Sequence, residues 1–189
     1  MGIEFGKMKV PGGFPVFWRG EFKVLPGDFK LTQTFPVETL IKKGTPIKLD
    51  FDNMQATVSK AAKVVAGGTN TVPLIAKGHL LAVGESVKLD EGASTGNVTA
   101  IDTTNADYDV LTLSASVGTL AAGNVLVAET AEAPDAVVET DYVYSTKGFQ
   151  TVSAGYDGVV LREVAAPVAP SWMNGFCLKA NPSIKYIKQ

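Results

Sequence analysis

Cysteine and histidine are almost absent from this sequence, which has one of each, Cys177 and His79. A single cysteine excludes an intramolecular disulfide, and a single histidine leaves no partner for the multi-histidine sets of catalytic zinc sites. Cys177 lies in an apolar segment, which favours a buried structural thiol over a reactive one. His79 follows a glycine, and we expect it to be a surface or hinge residue.

Carboxylates occur, but not in a pattern that binds a metal ion or performs acid–base chemistry. No Asp-x-Asp-x-Asp-Gly loop with a trailing Glu is present, so calcium binding of that kind is not predicted. We expect solvated loop carboxylates, and we predict no enzymatic activity, no cofactor and no metal site. The two loose acidic groups are Asp102, Asp107 and Asp109, and Glu129, Glu132 and Asp135.

The sequence also lacks a basic excess and a long apolar run. Lysine and arginine number 17 against 19 aspartates and glutamates, for a net charge of −2, which argues against nucleic-acid binding. No stretch approaches the ~20 apolar residues of a membrane helix. The first residues, MGIEFGKMKVPGG, contain no apolar core of signal-peptide length. We therefore expect a protein made in the cytoplasm, with no membrane partner.

Short alternating apolar segments separated by turn residues dominate the rest of the chain. Ile47, Leu49 and Phe51 alternate with polar neighbours, which is the period of a half-buried strand. Between residues 79 and 129, strands are predicted at 86–89, 97–103, 108–114 and 125–128. Later strands are predicted at 142–146, 148–152, 159–164 and 184–188, with a turn at 153–158. Residues 54–65 are the best candidate for a helix, although their valines leave a strand possible.

Together these segments predict an all-β protein. Its body is a small β-sandwich or barrel formed by residues 31–77 and 134–189. A second small β domain is inserted at residues 78–133. About fifty residues is near the lower limit for independent stability, so we expect the insert to pack on a neighbour or on copies of itself.

The first 30 residues are predicted to form an extended aromatic arm. Glycine and proline at this density argue against a long helix or a central strand. The residues singled out for binding a partner are Phe14, Phe17, Trp18 and Phe22. Two alternatives stay open: the arm attaches to another protein, or it folds back on its own domain.

Two lysines form a second candidate contact. Lys60 and Lys63 would share a face of the 54–65 helix, where they are either solvated or in contact with an acidic partner surface. Tyr142 and Tyr144 would lie on one strand face, as interface residues or as half-buried packing.

Residues 37–165 resemble head fiber and capsid decoration proteins of tailed phages and prophages of gut Bacteroides. The similarity rests on a Gly-Thr-Pro turn before a strand, then a Lys-Ala-Ala-Lys stretch and a Gly-Gly-Thr turn, in "LIKKGTPIKLDF" and "VSKAAKVVAGGTNTVPLIAKGHLLAVGESV". The later segment "VVETDYVYSTKGFQTVSAGYDGVVLREV" resembles the closing strands of the same body.

The resemblance implies a virion structural accessory protein on the capsid exterior. Its partners would be the major capsid protein and copies of itself, most simply as a trimer, and it would stabilise the capsid or contact a host surface glycan. The alternative class is a carbohydrate-binding or adhesin-like β module of bacterial origin. Such a module usually carries more aromatic residues in one domain than the middle segment does, where Tyr108 stands alone.

Overall fold

The computed structural model describes residues 18–162 and 164–188, with side chains from residue 22 onward. In that part of the chain every regular element is a strand, apart from one 3-10 turn at Pro170–Trp172, so the all-β prediction is confirmed. The strands are β1 (Trp18–Leu31), β2 (Leu40–Ile41), β3 (Pro46–Asp50), β4 (Gln55–Val58), β5 (Ala61–Gly68), β6 (Pro73–Ala76), β7 (Ser86–Leu89), β8 (Thr95–Asp102), β9 (Tyr108–Leu113), β10 (Val125–Ala128), β11 (Ala136–Val138), β12 (Tyr142–Val143), β13 (Thr151–Leu161), β14 (Met173–Asn174), β15 (Cys177–Leu178) and β16 (Ile184–Ile187).

The body is built around a ring of five strands. They follow one another in the order β1, β4, β3, β11 and β13, and β1 also pairs with β13, which joins the two ends of the run. Beyond β13 the sheet continues through β16, β15 and β14, while β2 and β12 form a separate two-stranded sheet. The predicted alternation in β3 is confirmed at Ile47 and Leu49, which are buried in the core beside the less buried Lys48. It is wrong at Phe51, which follows the end of β3 and is exposed.

The insert is a closed six-stranded barrel, in the order β10, β5, β6, β9, β8 and β7. Its four predicted strands are confirmed to within two residues at each end, and β7 and β10 have the predicted bounds. Closure leaves this small domain no unpaired sheet edge. Its interior is filled by aliphatic side chains such as Ile75, Leu111 and Leu126.

Two boundary predictions are wrong. The barrel includes β5 and β6, so the insert spans residues 61–128 and not 78–133. Residues 54–65 form no helix, since β4 and β5 occupy them. Val58 and Val64 are both buried, each facing the interior of a different domain, and β-branched residues favour such pleated positions over a helix.

The prediction of an extended arm is also wrong for its C-terminal half, which forms a strand of the body. Residues 18–31 form β1, which pairs with β13 from Trp18–Val160 to Lys30–Thr151. The register shifts between Val24 and Asp28, across the Pro26–Gly27 pair, and Gly27 has a φ of 86°. A bulged strand therefore accommodates residues that a regular central strand would exclude.

The turn predicted at 153–158 lies instead inside β13. Gly155 and Gly158 leave room there for the ring of Phe22, whose atoms come within 1.8 and 2.0 Å of the positions that their Cβ atoms would occupy. These glycines therefore serve a close approach of a side chain and not a reversal of the chain. Phe22 packs against the cluster of Val160, Ile184 and Tyr186.

The barrel is docked on the body through its outer face. Val125 and Val127 of β10 pack against Ala169 and Trp172, in the segment that precedes β14. Asp90 accepts hydrogen bonds from the backbone N–H of Ser171, at 2.9 Å, and from its hydroxyl. The expectation that the insert packs on a neighbour is met within the chain. No helix in the described residues is long and apolar enough to cross a membrane.

Candidate functional site

A cleft of about 390 Å³ lies between the body and the insert. Its walls come from both domains, because the chain passes between them twice, at Ser59–Lys60 and again after β10. The body contributes the start of β3, the segment 164–168 and Tyr186, while the insert contributes Val125 and the stretch 76–80. The cleft is therefore made by the way the two barrels are joined.

Lys60 lies at the first crossing and is already paired. Its side chain is 4% exposed, its ammonium forms an ion pair with Glu85, and it lies 4.8 Å from the centre of the Phe35 ring. The other oxygen of Glu85 accepts a hydrogen bond from the N–H of Ala82 at 2.9 Å. The hypothesis that Lys60 shares a solvent face with Lys63 is wrong, because the buried pair holds Lys60 inside while Lys63 is exposed.

A second ionic group occupies the other wall. Lys77 Nζ lies 2.5 Å from one oxygen of Asp109, and His79 Nε2 lies 3.3 Å from the other. Lys77 also donates to the carbonyl oxygen of Thr103 at 2.9 Å. Burial lowers the pKa of His79 below its usual value, although the nearby Asp109 opposes that shift. Nε2 is therefore the ring nitrogen that faces Asp109, and we assign the proton of the neutral imidazole to it.

Two predictions fail at this group. His79 was expected to be a surface or hinge residue, but its side chain is 6% exposed and it lies inside the insert, between β6 and β7. Asp109 was expected to be a solvated loop carboxylate, but it is buried on β9 between Lys77 and His79. Long-range pairing of β6 with β9 brings these residues together, and the sequence gives no sign of it.

Three further cations line the cleft without a partner among the described residues. They are Lys42, Lys63 and Arg162, all with exposed side chains. Lys42 reaches across from the body, since its Nζ lies 3.3 Å from the place where a Cβ on Gly78 would be. The described lining contains no aspartate or glutamate. This concentration of positive charge contrasts with the net charge of −2 for the whole chain.

Two buried polar atoms on lining residues have no hydrogen-bond partner in the described part of the protein. They are Nδ1 of His79 and the hydroxyl oxygen of Tyr186. Burial raises the pKa of Tyr186, so its hydroxyl stays protonated and is a potential donor. Buried polar groups are rarely left unpaired, and each one needs an explanation.

The other polar residues singled out from the sequence lie apart. Asp102 is exposed, and its pKa is lowered by the hydrogen bonds of Thr104. Asp135 was also expected to be solvated, but its side chain is 15% exposed and binds Lys48 at 2.6 Å in the body. No group of three metal-ligating side chains occurs within residues 18–162 and 164–188. Cys177 lies on β15 and is half-buried rather than buried.

The aromatic candidates divide between described and undescribed residues. Phe14 and Phe17 lie outside the described residues, and Trp18 begins β1 with its side chain outside them. Phe22 packs on its own domain, as the second alternative for the arm proposed. Tyr144 is buried against Phe35, with ring centres 5.6 Å apart, which settles it as packing.

An exposed apolar strip lies on the sheet of β2 and β12. Leu40 and Val143 face each other across it and are 38% and 55% exposed. Val37 precedes β2 and Phe149 follows β12, and Phe149 is 91% exposed. We call these four residues the β2–β12 strip. The sequence alone does not reveal this surface, because Leu40 and Val143 meet only through the pairing of two distant segments.

Comparisons with known proteins add no identification. No family model, no curated protein and no solved structure matches this chain. The structure defines the class of the protein: it is an all-β protein in which a closed six-stranded barrel is inserted into a β body.

Proposed function

We propose that this chain is a non-catalytic structural protein of a phage virion, bound to the capsid exterior as a decoration or head fiber protein. Its partners in this proposal are the major capsid protein and further copies of the chain, as a trimer. The observation that carries the proposal is the β2–β12 strip, an exposed apolar surface of the kind that marks protein–protein contacts.

The strip supports a contact made by side chains and not by strand addition. β2 and β12 have two residues each, too few for a new strand to pair along them, and the insert is a closed barrel. Leu40 and Val143 form a directly opposed pair, and Phe149, six residues after Val143, is 91% exposed. Aromatic and aliphatic side chains of this kind are typical of the buried centre of an interface.

The arm now contributes through residues 1–18. Phe14, Phe17 and Trp18 stay predicted contacts with the capsid, while Phe22 is assigned to the body. Contact with a host surface glycan is a further part of the proposal.

The test uses capsids of the encoding phage that lack this protein. Purified chain is added, the particles are sedimented, and bound protein is quantified for the wild type and for Phe149→Ser. Burying one large aromatic contributes roughly 1.5–3 kcal/mol, so we expect the substitution to weaken binding about tenfold or more. Phe176→Ser is the matched control, because Phe176 is also exposed, at 57%, but lies on the β14–β15 turn.

Three outcomes would count against the proposal. Absence of any binding to capsids rejects it, and binding of a glycan array instead would favour the bacterial carbohydrate-binding class. Equal losses for Phe149→Ser and Phe176→Ser would reject the strip as the contact. Deletion of residues 1–17 is measured in parallel, and loss of binding there with full binding by Phe149→Ser would move the attachment to the arm.

A further inference from the structure

We propose that the cleft between body and insert binds a small hydroxylated organic anion, such as a sugar acid or a sugar phosphate. The cleft and the β2–β12 strip share Leu40, but the substitutions used below leave the strip unchanged, so the two hypotheses are tested separately. The charges, the unpaired polar atoms and the size of the cleft support this proposal.

The unpaired positive charges of the cleft favour binding of an anion. Lys42, Lys63 and Arg162 converge on one cleft from three separate segments, and no described residue neutralises them. Lys60 and Lys77 line the same cleft, but Glu85 and Asp109 already offset their charges. A cleft lined by charge of one sign between low-dielectric walls concentrates ions of the opposite sign. Arginine and lysine are also the side chains that carboxylate and phosphate groups bind best.

The two unpaired polar atoms, on His79 and Tyr186, need one hydrogen-bond donor and one acceptor from a ligand. Since Nε2 of His79 faces a carboxylate oxygen of Asp109, Nε2 carries the proton and Nδ1 is an acceptor. Tyr186 stays protonated, and its hydroxyl is a donor. A ligand with both a hydroxyl group and an anionic oxygen would give each atom a partner. An inorganic anion without a hydroxyl group, such as chloride or sulfate, would leave Nδ1 of His79 unpaired.

The dimensions and lining fit a small molecule. A volume of about 390 Å³ falls within the range of roughly 300–1,000 Å³ that is typical of ligand sites. Such sites combine apolar walls with a few polar groups, and here Val125, Val168 and Met173 supply apolar wall. The cleft also lies between two domains, and ligand sites commonly occur at domain interfaces.

The experiment is isothermal titration calorimetry on the full chain at low salt, with D-glucuronate, D-glucose 6-phosphate and uncharged D-glucose as probes. Glucuronate and glucose 6-phosphate distinguish a carboxylate from a phosphate as the recognised group. We expect at least one of them to bind, glucose not to bind, and affinity to fall as salt is raised, because exposed charges are screened.

Lys63→Ala and Arg162→Ala should each weaken binding about tenfold, which is the loss of one charge-assisted contact. Lys179→Ala is the matched control, since Lys179 is exposed and lies outside the cleft. Tyr186→Phe should weaken binding without lowering the thermal transition, a combination that a purely structural role would not give.

Each outcome decides the proposal. Binding of one or both anions, reduced by Lys63→Ala and Arg162→Ala but not by Lys179→Ala, supports it. Three outcomes would overturn it: no binding of either anion at millimolar concentration, equal binding of glucose, or binding that survives Lys63→Ala and Arg162→Ala together. Thermal transitions recorded for each variant show whether a lost signal comes from unfolding.

Discussion

Gly155 should tolerate no side chain, because the Phe22 ring occupies the space. A Cβ on Gly155 would lie 1.8, 2.7 and 2.8 Å from three atoms of that ring, and the ring is held between β1 and the cluster around Val160. Overpacking of this kind costs about 1–3 kcal/mol, and more when the neighbour has no room to move. We expect Gly155→Ala to lower the free energy of unfolding by at least about 3 kcal/mol, at the upper end of that range.

A double-mutant cycle tests the cause of that loss. Phe22→Ala alone should cost about 2 kcal/mol, since the ring is partly buried. With the ring gone, Gly155→Ala should cost nothing further or should stabilise by about 0.5 kcal/mol, because alanine restricts the unfolded chain. The double variant should therefore be no less stable than Phe22→Ala. Urea unfolding of the four proteins gives the coupling energy directly.

Gly96→Ala provides the control for this cycle. A Cβ there would lie 2.6 Å from the carbonyl oxygen of Ala115, so the change should also destabilise, but in the distant barrel. Its cost should add to that of Phe22→Ala. Additive losses for Gly155→Ala and Phe22→Ala would refute the packing of β1 against β13 as described, and with it the assignment of residues 18–31 to the body.

Three further predictions concern the walls of the cleft. Lys60→Met should lower the free energy of unfolding, measured in urea, by about 2–3 kcal/mol. The loss should be smaller than for a fully buried ion pair, because Glu85 is partly exposed. Adding Glu85→Gln should restore most of the lost stability, because it removes the unpaired carboxylate. The pKa of His79 is lowered in the folded state, so the unfolded chain takes up its proton first as the pH falls below the ordinary value of 6.5. Wild-type stability should therefore fall more between about pH 7.5 and pH 5 than that of His79→Gln, and parallel profiles would contradict this. Tyr186→Phe removes a buried hydroxyl without a described partner and should leave the thermal transition unchanged or raise stability by about 1 kcal/mol, whereas a clear loss would reveal a hydrogen bond.

Local sequence patterns predicted the class of the protein and many of its strands. The alternation of Ile47 and Leu49 with polar neighbours gave β3, and the turn-bounded apolar segments of the insert gave β7 and β10 with their bounds. These patterns succeed because period two follows from the pleat of a strand, whatever its partner.

The sequence alone determined an all-β chain without a recognisable catalytic motif, and the tertiary structure decided where those strands pair. Gly155 and Gly158 resemble turn residues until Phe22 is placed against them, and Lys60 resembles a surface lysine until Glu85 is brought beside it. The cleft and the β2–β12 strip depend on contacts between residues far apart in the chain. Side-chain spacing along a strand carries no information about which distant segment will lie beside it, so only the folded chain defines both surfaces.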